Sequence, residues 1–157
     1  MPKAILIYGT NSSNTYSTGC LAAEELKASG FEVQVLSAAE ATPADLEPSD
    51  LVIFGSCTWS KPSPDGHELQ GQLQELFERF AESLKGKQFP GKKFAVFGLG
   101  DSRYVKFCAA ADSLEQLVKD IGGTQVGSSL RVDGMPHGQE ETIKAWARSI
   151  AQLANQI

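Results

Sequence analysis

The chain has 157 residues, 41% of them hydrophobic and 21% charged, which suits one ordinary globular domain spanning residues 1–157. A formal charge of -5 excludes the basic face of a nucleic-acid binder. Cys20, Cys57 and Cys108 make an odd set without CxxC spacing, and no apolar run nears the ~20 residues that span a bilayer. The expectation is a soluble cytoplasmic protein with free thiols, no membrane contact and no signal peptide before its first strand.

Lys3 to Tyr8 reads as a first strand, continuously apolar and so buried on both faces. Ser13 to Ser29 carries Leu21, Ala22, Leu26 and Ala28 at helical spacing and stops at Gly30. Phe31 to Leu36 alternates, as a strand nearer an edge does, and Pro43 to Leu46 suggests a short turn. Asp50 to Ser56 is a second fully apolar strand, followed by a long loop, Cys57 to Gly66. Glu68 to Leu84 places Leu69, Leu73, Leu76, Phe77 and Phe80 on one helical face. Lys93 to Gly98 is a fourth strand, Leu99 to Tyr104 a loop, and Phe107 to Ile121 a helix ended by Gly122-Gly123. Thr124 to Val132 reads as a fifth strand and Gln139 to Gln156 as a last amphipathic helix.

Strands alternating with helices predict a doubly wound α/β fold, a five-stranded parallel sheet covered on both faces. Right-handed crossovers gather every strand-to-helix loop at one sheet edge. The loops after strands one, three and four are unusual in composition, whereas the loop after strand two is bland. A strand order of 2-1-3-4-5 makes those three loops neighbours, with a crevice at the switch between strands one and three.

The first of these loops is the most informative. Of the eight residues Tyr8 to Thr15, six (Thr10, Asn11, Ser12, Ser13, Asn14 and Thr15) are Thr, Ser or Asn, and none is charged. Such side chains cap a helix, and the first turn also presents unpaired N–H groups. A simple cap needs one such residue; six make a neutral cradle for a dianion such as a phosphate monoester.

Several motifs in order then carry a family resemblance: Gly9-Thr10-Asn11-Ser12-Ser13-Asn14-Thr15, Thr58-Trp59, Gly98-Leu99-Gly100-Asp101-Ser102-Arg103-Tyr104 with Phe107-Cys108, Leu130 to Gly134, and Trp146-Ala147. Along essentially its whole length the chain resembles a short-chain flavodoxin, which implies a flavodoxin-like three-layer sandwich. The resemblance implies non-covalent FMN used for low-potential one-electron transfer. Residues Thr10 to Thr15 would hold its phosphate without Lys or Arg. Trp59 and Tyr104 would face the two sides of the isoalloxazine ring. Backbone groups of Cys57, Thr58, Trp59 and Ser60, and of Leu99, Gly100, Asp101 and their neighbours to residue 103, would meet its polar edge, with Phe107 and Cys108 close by. An apolar ring between aromatic faces with a polar rim is a physically sensible division. The chain departs from the family's usual Gly at Ser13 and again at Ser60, and Lys61 follows where acids are common. The resemblance also implies a peptide near residue 60 that rotates on one-electron reduction.

Cys57 and Cys108 read otherwise as small buried residues, and His67 and His137 as isolated solvent-facing side chains without metal-ligand spacing. Glu75, Glu78 and Glu82 form a solvated helix face that can also dock a basic redox partner. The implied partners are a flavodoxin reductase and electron acceptors, with the carrier a monomer. Residue types exclude other uses of the fold. The first loop has no P-loop Lys, and Gly98-x-Gly100 is followed by Arg103 where a dinucleotide fingerprint needs Gly. No Arg completes an anion loop at Cys57, and Gly55-Ser56 stands where a receiver domain needs Asp. Two alternatives remain beside the carrier: an NAD(P)H-dependent quinone or flavin reductase, and a non-catalytic interaction module.

Overall fold

The computed structural model describes residues 2–9, 13–62, 68–73, 75–100, 109–133 and 136–155; for residues 13, 57–62, 68–73, 75–76, 100, 109 and 133 it describes the backbone alone. Within these bounds β1 (Lys3–Gly9), β2 (Glu32–Ser37), β3 (Leu51–Pro62), β4 (Glu68–Leu73), β5 (Lys93–Gly100), β6 (Thr124–Gln125) and β7 (Leu130–Asp133) belong to one sheet. The helices are α1 (Ser13–Ala28), α2 (Glu75–Ser83), α3 (Ala109–Asp120) and α4 (Glu140–Asn155), with a 3-10 turn at Pro43–Leu46. The main path runs β2-β1-β3-β5-β6, all parallel, and β7 also pairs parallel with β5. This is the expected order 2-1-3-4-5, and β2 is the predicted edge strand.

Strand alternation builds the three layers directly. Successive side chains of a strand point to opposite faces. Ala4, Leu6, Leu51, Ile53, Ala95 and Phe97 therefore join Ala22 and Leu26 of α1 and Ile143, Ala147 and Ile150 of α4 in one core. Ile5, Ile7, Val52, Phe54, Phe94 and Val96 join Phe77, Phe80, Leu114 and Val118 in the other, under α2 and α3. Continuous apolar runs in β1, β3 and β5 are what a sheet buried on both faces requires. In the second core Phe54 meets Phe77 and Phe80 edge-on, with ring centroids 5.4 and 6.0 Å apart.

Three expectations are corrected. The helix read over Glu68–Leu84 is two elements: β4, which turns back antiparallel along β3, and then α2. Leu69, Gly71 and Leu73 also alternate at period two, so the apolar spacing fits both readings, and pairing with the extended β3 decides for a strand. The loop read from Cys57 onward is strand as far as Pro62, because the first half of that hairpin prolongs β3. The fifth strand is split into β6 and β7 around Gly127, whose φ of +71° takes the chain out of extended geometry.

Candidate functional site

The switch point lies where expected, between β1 and β3, whose outer neighbours are β2 and β5. At that edge Gly9 of β1 pairs with Ser56 of β3, and Ser56 pairs with Gly98 of β5. Three adjacent strands thus carry one row of small residues, at which β1 ends while β3 runs on to Pro62 and β5 to Gly100. Gly98 in this row has to be small. A Cβ at Gly98 would lie 2.8 Å from the Ala111 amide nitrogen, so α3 could not sit as close to β5.

From this row the chain enters α1, and its first turn carries the sharpest signal. Thr15 is fully buried, and its Oγ1 has no hydrogen-bond partner among the described residues. A buried hydroxyl without a partner costs roughly 1–3 kcal/mol, so such an atom calls for an explanation. One turn on, Thr18 is satisfied: its hydroxyl donates to the Asn14 carbonyl at 2.9 Å. Helices normally gain from carboxylates in the first turn, and α3 has Asp112 there and α4 Glu140 and Glu141. The first turn of α1 has none. A neutral helix start with a buried spare hydroxyl donor fits a dianionic phosphate monoester, which a nearby carboxylate would repel.

Of the anticipated site residues, Asn14 is half-buried beside Thr15, and Ser13 opens α1. Thr10, Asn11 and Ser12 lie outside the described residues, as do Asp101, Tyr104, Phe107 and Cys108. Cys57, Thr58, Trp59 and Ser60 are backbone positions of β3, with Cys57 paired to Leu99. The Leu99 side chain is buried in the α1–α4 core, and its backbone lies between Cys57 of β3 and Val132 of β7. Gly100 ends β5 and pairs with Asp133 of β7.

The hairpin adds a feature that loop-like composition concealed. Thr58 pairs with Leu73 and Trp59 with Gln72, but Lys61 pairs with Leu69 and Pro62 with Glu68. The register shifts between Trp59 and Lys61, so Ser60 alone stands opposite two residues of β4, Gln70 and Gly71. The alternation of Leu69, Gly71 and Leu73 was the signal available for this element.

Beside Thr15, Tyr16 is 46% exposed and its ring packs on Tyr8 with centroids 5.2 Å apart. The Tyr16 hydroxyl is hydrogen-bonded to the half-buried free thiol of Cys20, which, ahead of its charge, raises the phenol above its ordinary pKa. Burial, then the carboxylate of Glu40, raises Tyr8 in the same direction. His137 is exposed as expected. Among the described residues no group of three or more His, Cys, Asp or Glu could hold a metal ion, and no helix is long and apolar enough to cross a membrane.

A doubly wound sheet with an uncharged anion cradle at its switch point defines a mononucleotide-binding α/β protein. The comparisons narrow that class: the flavodoxin family model matches residues 6–146. The chain is 34% identical over 152 residues to a flavodoxin of Maridesulfovibrio salexigens, covering 96% of this chain and 98% of the relative. It is 35% identical over 142 residues to a probable flavodoxin 2 of Bacillus subtilis, covering 90% and 88%. The crystal structure of oxidised flavodoxin 2 from Bacillus cereus superposes with a TM-score of 0.84 at 30% identity, over 96% of this chain and 98% of that one. The chain belongs to the flavodoxin family, whose members bind FMN and carry electrons.

Proposed function

We propose that the chain is a single-domain, monomeric, cytoplasmic carrier that takes low-potential electrons from a flavodoxin reductase and passes them to acceptor proteins, without turning over a substrate itself. The bound FMN supplies the one-electron chemistry, and the protein supplies binding, orientation and electrostatics. The observation that carries the reading is the buried, unpartnered hydroxyl of Thr15 at the uncharged start of α1.

In this reading Thr15 donates its hydroxyl proton to a phosphate oxygen, and Thr10, Asn11, Ser12, Ser13 and Asn14 complete the cradle with side-chain and N–H donors. The positive end of α1 offsets the phosphate charge without a Lys or Arg. Trp59 and Tyr104 cover the two ring faces and exclude water. The backbone of 57–60 and 99–101 orients the polar edge of the ring, and Phe107 and Cys108, which precede α3 in sequence, close the site. The row Gly9, Ser56 and Gly98 supports the reading, because small residues at the sheet edge leave room for ring and phosphate.

The test is a titration of purified apo-protein with FMN and with riboflavin, followed by flavin fluorescence. FMN is expected to bind and to be quenched, and riboflavin, which lacks the phosphate, to bind at least tenfold more weakly, the equivalent of about 1.4 kcal/mol. Equal affinities would overturn the phosphate assignment. Steady-state oxidation of NAD(P)H by the holoprotein alone would replace the carrier with a reductase.

A further inference from the structure

Thr15 and Tyr16 are consecutive on α1 but face opposite ways: one is buried and the other is the most exposed large apolar side chain among the described residues. Tyr16 opens into a groove of about 390 Å³ lined by Cys20, Leu21, Glu24, Pro136, His137 and Glu140, between α1 and the start of α4. Its floor is apolar, and Glu24 is exposed on its rim with no ion-pair partner among the described residues. The Glu140 carboxylate accepts backbone N–H groups at the start of α4 and keeps its charge, with His137 beside it. On the other side of the sheet the acidic face of α2 is a weaker candidate. There Glu82 is bridged to Lys85 at 3.0 Å, and Glu78 is half-buried with an interaction of its own.

Resting on the carrier reading above, we propose that this α1–α4 groove docks a redox partner protein whose contact segment presents an arginine or lysine beside an apolar side chain. The apolar residue fills the floor between Leu21 and Pro136, and the cation lies over the Tyr16 ring between Glu24 and Glu140. The sign of the rim excludes an anionic partner and disfavours a second copy of this chain, which carries the same carboxylates and a net charge of -5. A partner seated there is one residue along α1 from the buried hydroxyl of Thr15, so recognition and the cofactor cradle share a helix turn. The acidic docking surface thereby moves from α2, where the sequence places it, to the opposite layer.

The experiment mixes the holoprotein with a basic c-type cytochrome as probe and follows amide NMR shifts and, after flavin reduction, the rate of cytochrome reduction. Shifts are expected to cluster in residues 16–24 and 136–141. Tyr16→Ser with Glu24→Lys should slow the bimolecular rate about tenfold at low salt, with the difference fading at high salt. Glu82→Lys on α2 should change it less than about twofold. Shifts and rate loss that map to α2, or a double variant with the wild-type rate, would overturn the proposal. So would concentration-dependent shifts at the groove without cytochrome, which would mean self-association. The double variant is accepted for the rate only after its FMN affinity is shown to match the wild type. Should the protein fail to bind FMN, the carrier reading falls, while the amide shifts of the apo-protein still decide the groove.

Discussion

Thr15 makes the clearest single-residue case, because its hydroxyl has opposite consequences in two states. In the apo-protein a buried donor without a partner is a cost, and Val has nearly the shape of Thr without that group. Thr15→Val should therefore leave the apo-protein as stable as wild type or stabilise it by up to about 1 kcal/mol. The same variant loses one hydrogen bond to a charged oxygen and should bind FMN more weakly by about 1.5–3 kcal/mol. Denaturant melts of the apo-protein with FMN titrations separate the two signs. A variant that loses apo stability and keeps FMN affinity would show the hydroxyl to be structural. This residue was legible in advance as one of six polar positions, but nothing in the string ranked it above Ser12 or Asn14. Burial ranks it above the half-buried Asn14, and burial depends on how far α1 sinks onto β1.

At the scale of elements, the hairpin was the least legible piece. Glu68–Leu73 could be a helix turn or a strand until something pairs with it, and its partner is a segment that Pro62 and Pro64 mark as loop-like. Local pattern cannot contain that information, since the pairing joins segments separated in sequence by residues 63–67. The pairing changes what Ser60 means. If the peptide near residue 60 rotates on reduction, it does so inside a strand flanked by paired residues, at the one place where the ladder slips. Gly permits positive φ at little cost, whereas a residue with a Cβ loses roughly 1–2 kcal/mol there. Ser60→Gly should therefore separate the two one-electron potentials of bound FMN by about 40–90 mV more than wild type, at about 59 mV per tenfold. Lys61→Asp should widen the gap again by disfavouring the second electron. A redox titration in which the double variant keeps the wild-type separation would sink this account.

The start of α4 gives a second element-level test. The backbone N–H of Glu140 itself, followed by that of Gly138, the charge of His137 and the N–H of Gln139, outweighs burial and holds the Glu140 carboxyl below its ordinary value of 4.5. A lowered folded-state pKa contributes stability that is present above the unfolded value and lost as pH falls through the folded one. Wild type should thus melt above Glu140→Gln at neutral pH, with the difference closing as pH drops below about 4.5. A difference that stays constant down to acid pH would mean that the effect is packing and not charge.

For the molecule as a whole, sheet order and layers were legible because β1, β3 and β5 are continuously apolar while β2 alternates, which sorts inner strands from the edge. The split of the last strand had a mark in Gly127-Ser128-Ser129, which interrupts the strand-forming residues, but a single Gly inside a strand pattern can equally be a bulge, and only the positive φ decides for a break. The phosphate end of the site could be read because hydroxyl-rich helix starts have a compositional signature. The ring end rests on Trp59 and Tyr104, two aromatics whose roles follow from family resemblance. The flat α1–α4 groove left no trace in either helix, because Tyr16 and Pro136 meet only through the fold.

The pairing order also has a temporal side. Inner strand β1 finds its first neighbours at Glu32 and Leu51, whereas β3 waits for Lys93 of β5. A chain emerging from the ribosome can therefore assemble β2-β1-β3 with α1 against one face long before synthesis is complete. The other face, with Ile5, Ile7, Val52 and Phe54, has only small pieces of cover such as Ala38 and Leu46 until Phe77, Phe80 and Leu84 have been made. That interval is when the nascent protein is most open to aggregation or to a chaperone. Slow translation between Pro62 and Leu84 would lengthen it, and faster translation there would shorten it.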